Sequence, residues 1–142
     1  MNKKGVTLIE VIVVLVIIAI AATLAIPNIA AWLPRYRLRT ATRDVVSTMR
    51  TAQMKAVSTN LEHGVQFYPE EGGYTVYHGT TEGPKQLLPS GIRFHEITLA
   101  GNHAVFNPNS TSSSGSVTLR NKRDAEKKIV LFAATGRIRV EE

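Results

Sequence analysis

The run from Val6 to Ile26 constrains this chain more than any other feature. It holds 21 residues, of which only Thr7, Glu10 and Thr23 are polar. As an α-helix it would span roughly 31 Å, about the thickness of a bilayer's hydrocarbon core. Its many Ile and Val residues would weakly favour strand in water. In lipid only a helix satisfies its own backbone, so the run predicts a transmembrane helix over residues 6–27. A secretory signal fits poorly. Such a signal carries its small residues and its cleavage site after the apolar stretch. Here Gly5 precedes the stretch and Pro27 follows it. A signal anchor that is never processed is the plain alternative.

Glu10 is the odd residue in this run. A carboxylate at depth in a spanning helix costs roughly 2.5–3.5 kcal/mol. The cations nearby in sequence are Lys3, Lys4 and the amino terminus. Cleavage after Gly5 would free the α-amine of Val6, about one helical turn from Glu10, as a partner on the same subunit or a neighbour. The simpler reading is a side chain that snorkels to the headgroups.

Lys4-Gly5-Val6-Thr7-Leu8-Ile9-Glu10 followed by the apolar run resembles the class III signal of type IV pilins and pseudopilins. The resemblance implies a leader peptide over 1–5 and cleavage by a prepilin peptidase between Gly5 and Val6. It also implies N-methylation of Val6, with Glu10 steering docking of subunits into a filament. One departure is that Val6 stands where the family usually has Phe. The implied partners are other pilin or pseudopilin subunits, the peptidase and an inner-membrane assembly platform. The implied location is the bacterial inner membrane, single-pass, with the carboxyl-terminal domain in the periplasm. A count of flanking charges points the other way, since Arg35, Arg37, Arg39 and Arg43 outnumber Lys3, Lys4 and the terminus. The Gly5 motif is more specific than that count, and we follow it.

Pro27 and Pro34 interrupt the helical pattern, as residues that lack a donor and crowd the preceding turn. An amphipathic second half over 28–60 follows. Leu38, Ala41, Val45, Met49, Ala52 and Ala56 fall within an arc of roughly 80°, suited to burial against a sheet. Arg35, Arg39, Arg43 and Arg50 fall within another. They read first as a solvated face that anchors to anionic lipid, and second as a surface for a subunit or a polyanion.

From residue 61 to 142 the texture changes to short apolar runs divided by turn residues. Strands are expected at 64–68, 74–77, 92–97, 104–106, 116–120, 128–132 and 137–140. Thr80–Ser90 reads as a loop and Asn109–Ser116 as a mobile Ser-rich loop. The fold class is therefore α+β: a long amino-terminal helix packed on small antiparallel sheets in a β-rich periplasmic domain. This order, with a late Gly-Arg strand, resembles the GspH/FimT branch of the pseudopilins. The resemblance implies a minor subunit that primes or caps a secretion pseudopilus or a type IV pilus.

No pattern for catalysis emerges. The chain has no cysteine, which excludes thiolate metal sites and disulfides. His63, His78, His95 and His103 lack metal-ligand spacing. There is no phosphate-binding glycine loop, and Glu70-Glu71 diverge in a turn. Neither an enzyme nor a cofactor is expected. The charge is +6, from 17 Lys and Arg against 11 Asp and Glu. Gly136-Arg137-Ile138-Arg139 would set two guanidiniums on one strand face about 7 Å apart, close to the spacing of successive phosphates. In the FimT-like members of the branch a terminal Gly-Arg-x-Arg serves DNA uptake. By that resemblance Gly136, Arg137 and Arg139 would contact DNA, and Lys122, Arg123, Lys127 and Lys128 could extend the patch. The alternative is a charged edge strand that deters aggregation.

Overall fold

The computed structural model describes residues 5–141, with the side chains of 24–31 outside the description. The chain divides into two compact units, the first ending at Leu33 and the second running Pro34–Glu142.

In the first unit, Gly5, Val6 and Thr7 precede the helix α1, Leu8–Thr59. Thr7 starts the helix. Its carbonyl accepts from the amides of Glu10 and Val11, and its hydroxyl faces the Glu10 amide at 3.4 Å. The described side chains from Leu8 to Thr23 are all exposed. Among the described residues no helix is long and apolar enough to cross a membrane. The apolar run continues past Thr23 into residues whose side chains lie outside the description. The helical assignment runs through Pro27 and Pro34 without a break. Each proline forfeits one backbone bond while its neighbours keep theirs.

The second unit sets the later part of α1 against nine strands in two antiparallel sheets. These are β1 (His63–Tyr68), β2 (Gly73–His78), β3 (Thr81–Glu82), β4 (Gln86–Leu87), β5 (Ile92–Ile97), β6 (His103–Phe106), β7 (Gly115–Asn121), β8 (Glu126–Phe132) and β9 (Arg137–Glu141). One sheet runs β3-β2-β1-β6, with β4 also paired to β2, and the other runs β5-β7-β8-β9. The stripe Leu38, Ala41, Val45, Met49, Ala52 and Ala56 is buried, as its periodicity predicts. Val65, Phe67, Ala104 and Phe106 from the first sheet, and Val117, Leu119, Ile129 and Leu131 from the second, complete the core. Phe67 meets Phe94 edge-on, with centroids 5.6 Å apart, and so joins the two sheets. Each such large side chain contributes about 1.5–3 kcal/mol by leaving water.

All seven expected strands are present, and two expected loops are more ordered than their composition suggests. Thr80–Ser90 contains β3 and β4, because the buried Thr75 hydroxyl donates to the Gly83 carbonyl at 2.8 Å and folds the segment back on β2. In the Ser-rich segment the buried Ser112 bridges to Phe106, and its amide donates to the Ala133 carbonyl. Ser113 donates through its amide to the Val105 carbonyl.

Candidate functional site

The first candidate is the start of α1. Gly5 and Val6 lie in the non-helical stretch before Leu8, and among the described residues beyond its chain neighbours no atom approaches within 4 Å of where a Gly5 side chain would begin. Gly5 and Val6 are both exposed, as a bond open to a peptidase must be. Glu10 is exposed and occupies the third helical position after the Thr7 cap. Thr7-Leu8-Ile9-Glu10 is thus also a capping-box pattern, in which the acid favours the positive helix start. Our reading of the sequence passed over this second role, although the Thr-x-x-Glu spacing signals it.

The second candidate is β9. Gly136 precedes the strand in the left-handed region, at φ 58°. It is buried, and its carbonyl accepts from Gln53 Nε2 at 3.0 Å. Arg137 and Arg139 are exposed and pair in register with Phe132 and Val130. Strand alternation puts both on the sheet face away from α1, while Ile138 packs against the core. Arg139 Nε lies 3.6 Å from Glu141 Oε1. Lys128 shares this outer face, in register with Glu141.

The other basic residues lie elsewhere. Lys127 is in register with the buried Leu119 and so lies on the inner face. Lys122 and Arg123 belong to the β7–β8 turn. Arg123 donates its amide to Asn121 Oδ1 at 2.9 Å, and the Lys122 stem lies over Gly91. That turn is roughly 13 Å or more along the sheet from the Arg139 register position. The structure therefore groups Arg137, Arg139 and Lys128, and sets Lys127, Lys122 and Arg123 apart from them.

Sequence reasoning did not foresee a groove of about 460 Å³ between α1 and the β9 edge. Arg39, Arg43, Arg50 and Val46 line it from the helix, and Lys127 and Val140 line it from the second sheet. The nearby carboxylate of Glu126 is held by Arg120, which also meets His95.

A third cluster surrounds His63. Its ring stacks on His78 with centroids 4.7 Å apart. Thr59 donates its hydroxyl to the Lys55 carbonyl and so receives the His63 Nε2 proton at 3.0 Å. Burial, then the neighbouring His78 and Lys55, hold the His63 pKa below its ordinary value. Burial raises the phenol pKa of both Tyr74 and Tyr77. Among the described residues no group of three or more His, Asp or Glu side chains could hold a metal ion.

Comparison with known proteins follows the same two regions. Residues 1–26 match the prokaryotic N-terminal methylation motif. No curated protein matches the chain significantly. Crystal structures of the type IV minor pilin FimU of Pseudomonas aeruginosa share the fold. One is 17% identical with a TM-score of 0.64, covering 76% of this chain and 90% of that one. The minor pseudopilin EpsH from the type 2 secretion system of Vibrio cholerae also shares it. EpsH is 10% identical with a TM-score of 0.58, covering 74% of this chain and 96% of that one. Residues 41–136, well over half of the chain, match the model of the type II transport protein GspH. The chain therefore belongs to the GspH family of type II transport proteins, with the fold of the minor pilin and pseudopilin above.

Proposed function

We propose that this subunit is cut after Gly5, methylated on Val6, and assembled through its apolar helix into a pilus or secretion pseudopilus that it primes or caps. Residues 1–5 are then the leader, 6–27 the membrane and filament-core helix, 28–60 its amphipathic continuation and 61–142 the periplasmic domain. Prepilin peptidase, sister subunits and the inner-membrane platform are its partners. Its work is mechanical.

The observation that carries this reading is the unwound, uncrowded Gly5–Val6 bond set directly before a helix with an exposed acid at Glu10. The freed Val6 amine would lie about one turn from that acid and offset the cost of bringing it into the apolar bundle. Mass spectrometry of the mature amino terminus tests the reading. A chain beginning at methylated Val6 is expected, and an intact Met1 would overturn it.

A second reading is DNA binding through Gly136, Arg137 and Arg139. It draws on the shared exposed face of the two arginines. Filter retention of labelled duplex DNA by the full chain tests it. Equal retention by the Arg137→Ala, Arg139→Ala double variant would discard it.

A further inference from the structure

The edge of β9 and the groove beside it form one feature apart from the Gly5–Glu10 segment. β9 is the last strand of its sheet and, among the described residues, pairs only with β8. Among the described residues, no backbone hydrogen bond from Arg137–Glu141 reaches any other segment. One side of the strand therefore offers open amide and carbonyl groups, a template for another strand.

The groove face of that edge is cationic, and on the outer face Arg137 and Arg139 outnumber Glu141, which lies beside Arg139. Arg137 and Arg139 stand on the outer face. On the inner face the groove carries Arg39, Arg43 and Arg50 from one face of α1, with Lys127 at its side. Among the described residues, Arg39, Arg43 and Arg50 make no ion pair. The floor holds Val46 and Val140, so apolar side chains also find contact there.

We propose that β9 accepts an extended acidic segment of a partner protein by strand addition. A strand added about 4.8 Å beyond β9 would place every second side chain over the groove. Carboxylates there would meet Arg39, Arg43 and Arg50, and those on the alternate face would meet Arg137 and Arg139. Charge also selects the partner. A second copy adding its own β9 would turn Ile138 and Val140, which carry no carboxylate, toward the groove and bring its own basic groove beside the first, and like charges placed together are destabilising. A basic strand is rejected for the same reason. A nucleic acid would gain the charge contacts but not the backbone ladder, and the groove carries no aromatic ring for base stacking.

The test uses the full chain in detergent micelles and a fluorescein-labelled peptide of alternating glutamate and valine. A matched peptide with N-methylated backbone amides on one edge and a duplex oligonucleotide serve as comparison ligands. Fluorescence anisotropy should show binding of the first peptide, with β9 amides newly protected from hydrogen exchange. Affinity should fall about tenfold or more in the Arg39→Ala, Arg43→Ala, Arg50→Ala triple variant and on N-methylation. Circular dichroism of the variant, whose changes are all on the exposed helix face, controls for folding. Equal binding of the N-methylated peptide, tighter binding of the oligonucleotide at the same arginines, or no binding of the first peptide would each overturn the proposal.

Discussion

Gln53, on the helix, donates through Nε2 to the carbonyl of Gly136, 3.0 Å away, and this bond fixes where β9 begins. The two residues are 83 positions apart. The φ of 58° at Gly136 and the close approach of Gln53 and Ser110 favour glycine there, whatever the arginines bind.

Gly136→Ala should destabilise the protein by about 1–3 kcal/mol. The added Cβ would sit 2.5 Å from Gln53 Nε2 and against the Ser110 carbonyl, at a backbone angle that side chains resist. Gln53→Ala should cost about 1 kcal/mol through the lost bond. Urea unfolding followed by circular dichroism measures both, and a neutral Gly136→Ala variant would refute the packing argument.

Phe67→Ala should cost about 3–5 kcal/mol. The ring is 1% exposed and touches both Tyr74 and Phe94, so its loss opens a cavity where the sheets meet. Thermal unfolding should show a midpoint lowered by many degrees.

Stability should fall with acid through His63. Its pKa is depressed in the folded state, so below about 6.5 the unfolded chain binds the proton first. The contribution is complete above the unfolded value and is lost as pH drops through the interval down to the folded one. Slope from this group cannot exceed about 1.4 kcal/mol per pH unit. Unfolding free energies measured between pH 7.5 and 5 should show less acid loss in His63→Gln than in the wild type.

Glu10→Gln separates the two roles of that acid. Glutamine still serves the third position of a capping box, but it carries no charge for the Val6 amine. If pairing drives assembly, Glu10→Gln should be lost from sheared surface fibres as fully as Glu10→Leu. Normal incorporation of Glu10→Gln would assign the residue to helix capping alone.

Much of the architecture is legible in the residues themselves. The stripe from Leu38 to Ala56 repeats at helical spacing, and strands such as Val117–Leu119 and Ile129–Leu131 alternate, so local periodicity suffices to place them. β3 and β4 are two-residue pairings dictated by the Thr75 hydroxyl reaching back to Gly83, a contact that no local pattern encodes. The candidate sites divide in the same way. Gly5 and Glu10 belong to one continuous motif. The groove depends on which edge strand lies beside Arg39, Arg43 and Arg50, and only the sheet order reveals that. Lys127 and Lys128 are adjacent in sequence, yet strand alternation sends them to opposite faces.

Asn121 organises the β7–β8 turn by accepting from the amides of Arg123 and Ala125, and it reaches across 87 positions to donate to the Pro34 carbonyl. Leu119, Ile129 and Leu131 close over the helix stripe from the same late hairpin. Contacts so distant in sequence form slowly, since a long loop must close before they reward it. A ribosome therefore exports the helix well before the strands that cover it exist. During that interval the stripe stays bare and prone to aggregation, and a chaperone or the membrane surface has to shelter it until the last hairpin arrives.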